Sequence, residues 1–146
     1  MDINMLSVSD AAYLAGLIDG EGTVTLTRKH KNENRQLGIS IANTEKQLLD
    51  FCFSAIGAGK ITRKRKDQDH HTASFTYAIY NRQALSLLEQ VLPYLRSYKS
   101  KRAKLILDNY VSLTPRNGKY TDELLKKRKK FEKQVLEIKT NNAPIN

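Results

Sequence analysis

Asp19 and Glu21 stand two residues apart in the run Asp19-Gly20-Glu21-Gly22, which closes the helix-forming segment Leu14-Ala15-Gly16-Leu17-Ile18. Such an ending delivers a carboxylate to one spot while the chain turns away from it. The rest of the chain makes that acid conspicuous. Twenty-five Lys and Arg against 15 Asp and Glu leave a formal net charge of +10 over 146 residues. That excess suits a polyanion, either nucleic acid or an acidic membrane surface. A carboxylate set among phosphate-binding cations repels the phosphate unless a divalent cation lies between, so Glu21 reads as a metal-holding acid. The plainer reading of the same run is a helix stop and a turn.

Other candidate chemistry is weaker. Cys52 is the only cysteine, which excludes an internal disulfide and any Cys-based zinc site. Between Phe51 and Phe53 it reads as a buried thiol. His70 and His71 lie near Asp67 and Asp69, but adjacent residues of a strand point to opposite sides and do not easily share one ion. That segment reads as a solvent loop. No apolar run approaches the ~20 residues of a membrane span, and MDINMLSVSD lacks the basic and apolar regions of a secretory signal. The expectation is one soluble, intracellular domain over residues 1–146 that binds nucleic acid and no membrane.

Periodicity outlines the elements that must position the acid. Ser7 or Ser9 can cap a first helix, with Asp10 in its first turn, residues 12–18 as its body, and Gly20 and Gly22 ending it. Ala12, Ala15, Gly16 and Asp19 fall on one stripe of this helix, a small-residue face that another helix can approach closely. Tyr13, Leu14, Leu17 and Ile18 are left for the core. Val24 and Leu26 then alternate with Thr23, Thr25, Thr27 and Lys29, and after a polar loop Leu37, Ile39 and Ile41 alternate with Gln36, Gly38 and Ser40. These are two strands of a hairpin.

Thr44 and Gln47 form a capping box for a helix through Leu48, Leu49, Cys52, Phe53 and Ile56. A second hairpin spans residues 60–66 and 72–80, with Phe75, Tyr77 and Ile79 on one face. Asn81 caps a helix that Pro93 breaks. Further helices are expected over about 99–113 and 121–138, with a turn between them. The order αββαββα places the chain in the α+β class: a four-stranded antiparallel sheet, helices on one face, and extra C-terminal helices. The core covers about 9–113 and the helical extension about 119–139. Within that extension the basic run at 126–130 reads as a solvated helix face, a localisation signal or a phosphate-contacting patch.

The free sheet face can read a DNA major groove, which admits a two-stranded ribbon. Its candidates are Thr25, Thr27, Lys29, Gln36, Gly38, Ser40, Lys60, Thr62, Lys64, Ser74 and Thr76. Arg28, Arg35, Arg63, Arg65, Lys66 and His70 would approach phosphates near the strand ends.

Residues 14–22, LAGLIDGEG, resemble the signature of the LAGLIDADG homing endonucleases, departing from it at the seventh and eighth positions. The expected element order is similar too, over about 9–113. Ile56-Gly57-Ala58-Gly59 and Leu92-Pro93-Tyr94-Leu95 have look-alikes in the single-motif members of that family. The resemblance implies that Glu21 and the Gly20 carbonyl hold a divalent metal: Mg2+, with Mn2+ as an alternative and Ca2+ as a non-catalytic substitute. It further implies that Asn43 and Lys46 or Gln47 organise solvent, and that Lys99, or else Lys101, stabilises phosphate charge.

One motif supplies one such acid, and cutting two strands needs two. The resemblance therefore implies a homodimer packed through Ala12, Ala15, Gly16 and Asp19, with two sheets forming a saddle on double-stranded DNA. It also implies hydrolysis at a long, near-palindromic site. Alternative readings are an intron maturase that binds RNA, a non-catalytic DNA-binding regulator on the same scaffold, and a basic structural RNA-binding domain.

Overall fold

Strand alternation closes one face of a sheet against helices and leaves the other face free. The computed structural model describes residues 2–64 and 72–140. Its elements are α1 (Val8–Glu21), β1 (Gly22–Thr27), β2 (Gln36–Asn43), α2 (Lys46–Ile56), β3 (Lys60–Lys64), β4 (Ser74–Tyr80) and α3 (Asn81–Val91). A 3-10 turn at Leu92–Tyr94, α4 (Lys99–Asn109) and α5 (Asp122–Glu137) follow. The sheet is antiparallel throughout, in the order β1-β2-β4-β3, so the two hairpins join through β2 and β4.

The register puts Val24, Leu26, Leu37, Ile39, Ile41, Tyr77 and Ile79 on one face, all buried beneath α1, α2 and α3. Each stabilises the fold by roughly 1.5–3 kcal/mol relative to exposure. A slip of one residue would turn the whole set to solvent. No helix among the described residues is long and apolar enough to cross a membrane.

Three local expectations are corrected. Helix α1 does not stop at Gly20; it runs through Glu21, and Gly22 ends it by donating its amide to the Ile18 carbonyl. A Cβ at Gly22 would stand 2.8 Å from Ile18 Cα and 3.0 Å from the Ser40 carbonyl. Glycine is what lets α1 turn directly into β1. The Thr44–Gln47 capping box does not form, because Asn43 Oδ1 takes the Glu45 amide (2.8 Å) and Glu45 becomes the N-cap. Asn81 is not a cap either. It is the first residue of α3, at φ 57°, and its side chain joins Gln36 and Tyr110 instead. At the start of α1, by contrast, Ser7 Oγ does accept the Asp10 amide at 3.1 Å.

The basic run at 126–130 divides. Lys126, Lys127, Lys129 and Lys130 are exposed, whereas Arg128 is 1% exposed and pairs with Glu132 at 3.0 Å. Phe131 and Val135 from α5 complete the core cluster. The outer edge of β1 is covered as well: Arg102 donates to the Val24 carbonyl (2.9 Å) and Arg35 to that of Leu26 (3.3 Å). An edge strand with its carbonyls engaged is a poor template for aggregation.

Candidate active site and nucleic-acid interface

Helix α1 carries Glu21 to the end of the sheet as its last residue, with the carboxylate exposed. The β1–β2 register pairs Gly22 with Ile41, so Asn43, two residues on, lies at the same end. Lys99, the first residue of α4, reaches this end from below. Its Nζ donates to the carbonyls of Ile18 (2.7 Å) and Asp19 (2.9 Å), placing a cation on the negative end of the α1 dipole. Burial lowers the Lys99 pKa; Asp19 opposes that shift and Arg102 adds to it. An ammonium has three donors, so one N–H remains.

Asp19 holds the turn that delivers Lys99. Its Oδ2 accepts the Arg96 amide (2.8 Å), and its Oδ1 accepts the Ser97 amide (3.2 Å) and hydroxyl (2.5 Å). Burial pulls the Asp19 carboxyl upward, but the Ser97 hydroxyl, the two amides and Lys99 together hold it below the usual carboxylate range. Glu21 forms no ion pair with any described residue. The adjacent donors, the Glu21 carboxylate and the Gly20 carbonyl, are hard oxygens of the kind Mg2+ and Ca2+ prefer. They fit such an ion but do not enclose it, and no group of three His, Cys, Asp or Glu gathers among the described residues. Lys46 forms an exposed ion pair with Asp50 at 2.8 Å, one turn along α2. Gln47 and Lys101 are exposed.

The small-residue stripe on α1 is narrower than expected. Ala12 and Gly16 are exposed, and a Cβ at Gly16 or Gly20 would meet nothing within 4 Å. Ala15 is fully buried in the chain's own core, and Asp19 is committed to the 96–97 turn, so neither belongs to the open face. Tyr13, expected in the core, is 48% exposed and packs edge-on against Phe51.

On the free sheet face, Thr25 and Thr27 oppose Gly38 and Gln36, Ser40 pairs across to Ala78, and Thr62 and Lys64 oppose Thr76 and Ser74. Thr27, Lys29, Gln36, Lys60, Thr62 and Tyr80 border a hollow of about 500 Å³. Two expected phosphate contacts each spend one of their five N–H donors within the chain. Arg28 donates to the Lys31 carbonyl (2.7 Å), and Arg35 is tied to Leu26. Arg63 opposes Phe75, so it falls on the helix side of the sheet, where it is exposed. Arg65, Lys66 and His70 lie outside the described residues.

Tyr80 was not among the expected site residues, although its alternation with Ile79 points it to the free face. It is 47% exposed there, and a Cβ at Gly38 would stand 3.2 Å from its ring. Asn81 and Tyr110, which contact Gln36 and the backbone of Leu37, were also missed. No sequence pattern marks partners so distant.

The model of the LAGLIDADG-like domain family matches residues 9–92 of this chain. No curated protein matches it in sequence. Among solved structures, the chain is similar to the homing endonuclease I-CvuI in complex with its target in the presence of Ca, with a TM-score of 0.73 and 18% identity. That alignment covers 95% of this chain and 87% of that one. It is similar also to the archaeal intron-encoded homing endonuclease I-Vdi141I complexed with DNA, with a TM-score of 0.67 and 16% identity over 92% and 87% of the two chains. The LAGLIDADG meganuclease I-AabMI bound to uncleaved DNA aligns at 0.57 and 20% identity, over 91% of this chain but 46% of that one. The structural overlap, at identities of 16–20%, shows a shared fold.

Proposed function

This chain belongs to the LAGLIDADG-like domain family, and from that premise we propose that it is a site-specific, divalent-metal-dependent DNA endonuclease that works as a homodimer. The observation that carries the reading is the end of α1. There the exposed Glu21 carboxylate and the Gly20 carbonyl stand at the end of a polar strand face, with Lys99 bracing the helix beneath them. The solved relatives with DNA in their descriptions support the substrate class.

The open stripe of Ala12, Gly16 and Gly20 supports dimerisation, as does the one motif acid, Glu21, that each chain supplies. Two copies would bring two Glu21 carboxylates together, and the 46% coverage of I-AabMI leaves room in that chain for a second such unit. Twofold symmetry favours a near-palindromic target. Two copies also carry a formal charge of +20, which makes binding steeply salt-dependent.

When bound, a divalent cation supplies activation of water and neutralisation of phosphate charge. Glu21 and the Gly20 carbonyl would hold it. Asn43 has its Oδ1 engaged by the Glu45 amide and retains its NH2 group for solvent. Lys99 holds the α1 terminus in place and keeps one N–H for the phosphate. Strand-face side chains from Thr25 to Thr76 would contact base edges in the major groove.

Incubating the full chain with a library of randomised duplexes and Mg2+ tests the proposal. A cleaved site of near-twofold symmetry is expected, and Glu21→Gln should bind it in Ca2+ without cutting in Mg2+. Binding without cleavage by the wild type would favour the regulator, and preference for structured RNA over duplex DNA would favour the maturase. Full cleavage by Glu21→Gln would overturn the assigned site.

A further inference from the structure

Gln36 offers the free sheet face an amide whose two ends have opposite hydrogen-bonding character, so its orientation decides which base edge it can read. A chain of contacts sets that orientation. The Leu37 amide donates to the Tyr110 hydroxyl at 3.2 Å. A backbone amide can only donate, so the hydroxyl accepts there and directs its one proton to Asn81 Oδ1 at 2.9 Å. Asn81 must then present its NH2 at the other end, and Nδ2 donates to Gln36 Oε1 at 2.9 Å. The Gln36 oxygen is thereby engaged and its NH2 group is left for a ligand above the sheet.

The far end of this relay is firmly seated. Tyr110 is 2% exposed, and the Arg128 guanidinium lies 4.9 Å from its ring centre. Asn81 sits at φ 57°, a conformation that Asn and Asp adopt more readily than other side chains.

We infer that Asn81 and Tyr110 are positioning residues that present Gln36 to DNA as a hydrogen-bond donor. The target position facing Gln36 then favours guanine, whose O6 and N7 are acceptors, over cytosine, which presents an amino group. The inference rests on the endonuclease reading above.

The test is binding selection from fully randomised duplexes in Ca2+, with the full-length wild type, Gln36→Ala, Asn81→Asp, Gln36→Glu and Tyr110→Phe. Gln36→Ala should lose base preference at one symmetric pair of positions and so identify it, and the wild type should favour guanine there by about tenfold. In Asn81→Asp the second carboxylate oxygen accepts from Gln36, which must turn its own oxygen outward. Preference should move to adenine or cytosine at that pair alone. Gln36→Glu presents an acceptor however residue 36 is oriented and so calibrates the shift; Tyr110→Phe, which removes the relay hydroxyl alone, should weaken the guanine preference and covers an Asn81→Asp that fails to fold. A preference unchanged in a folded Asn81→Asp or, failing that, in Tyr110→Phe, or a wild type that favours cytosine at that pair, overturns the relay. A wild type that enriches no sequence overturns the endonuclease reading itself, a distinguishable result.

Discussion

At the start of β2, Arg128 and Glu132 are 1% and 4% exposed, and nearly every polar atom they carry has a partner. Arg128 bonds to Glu132, to the carbonyls of Leu113 and Arg35 and to the Thr114 hydroxyl, while Glu132 also accepts the Arg35 amide at 3.1 Å. At the end of α1, charge is held in a graded way. Asp19 uses both oxygens, Lys99 uses two of its three donors, and Glu21 uses neither oxygen in an ion pair. A buried pair with four of its five polar side-chain atoms engaged has little to offer a ligand, and it ties α5 to the β1–β2 hairpin. Groups with capacity remaining are the ones that the proposed metal and phosphate would complete.

The largest effect that separates the two regions comes from Glu21→Gln. Cleavage should fall by at least ~10³-fold, about 4 kcal/mol of barrier, while stability stays within about 0.5 kcal/mol, as for exposed substitutions generally. Cleavage assays beside urea denaturation measure both, and a large loss of stability would erase the contrast. Arg128→Met should do the reverse at the other region. Leaving Glu132 buried without its partner costs about 3–5 kcal/mol, and the double variant Arg128→Met/Glu132→Leu should recover most of it. A double variant as unstable as the single would mean that the pair is not the unit that matters.

Lys99→Met should lower both readouts moderately, with about 1–3 kcal/mol of stability lost along with the two bonds to α1. The wild type should show a further signature. The folded pKa of Lys99 lies below its unfolded value of about 10.4, so stability rises with pH across that interval. Urea midpoints measured on the alkaline side should lose this rise in Lys99→Met. The smallest effect belongs to Asp19→Asn. The depressed Asp19 pKa contributes stability above its unfolded value of about 3.9, and that contribution is lost as pH falls through the folded value. A shallower acid limb is expected in the variant, and an identical limb would place the 96–97 turn outside the graded set.

Much of this was legible from residue order. Val24, Leu26, Leu37, Ile39 and Ile41 alternate cleanly, and the buried face follows them residue for residue. The acid at the end of a small-faced helix was visible too. What failed were inferences in which one local signal had a remote competitor. Helical periodicity places Ala12, Ala15 and Gly16 on one stripe, yet the sheet beneath α1 covers Ala15 and leaves the other two open. Asp19 falls on the same stripe, but residue order does not show that its carboxylate binds residues 96 and 97. A run of five basic residues reads as one solvated face, although its middle member, Arg128, shares the helical spacing of Phe131 and Val135 and is turned inward with them.

The sequence by itself determined the strand faces, the element order, the family resemblance and the acid that ends a small-faced helix in a strongly basic chain. Those properties rest on covalent geometry, on side chains that alternate every second residue in a strand, and on a short run of residue types. Only the tertiary structure decided which charges are already satisfied. The partners of Lys99, Asp19, Arg128 and Glu132 include groups about 80 to 100 residues away, and a hydrogen bond forms only where folding brings its two atoms within about 3 Å. Glu21 stands out at the end of α1 because its carboxylate forms no ion pair there, whereas the fold has given Asp19 and Lys99 their partners.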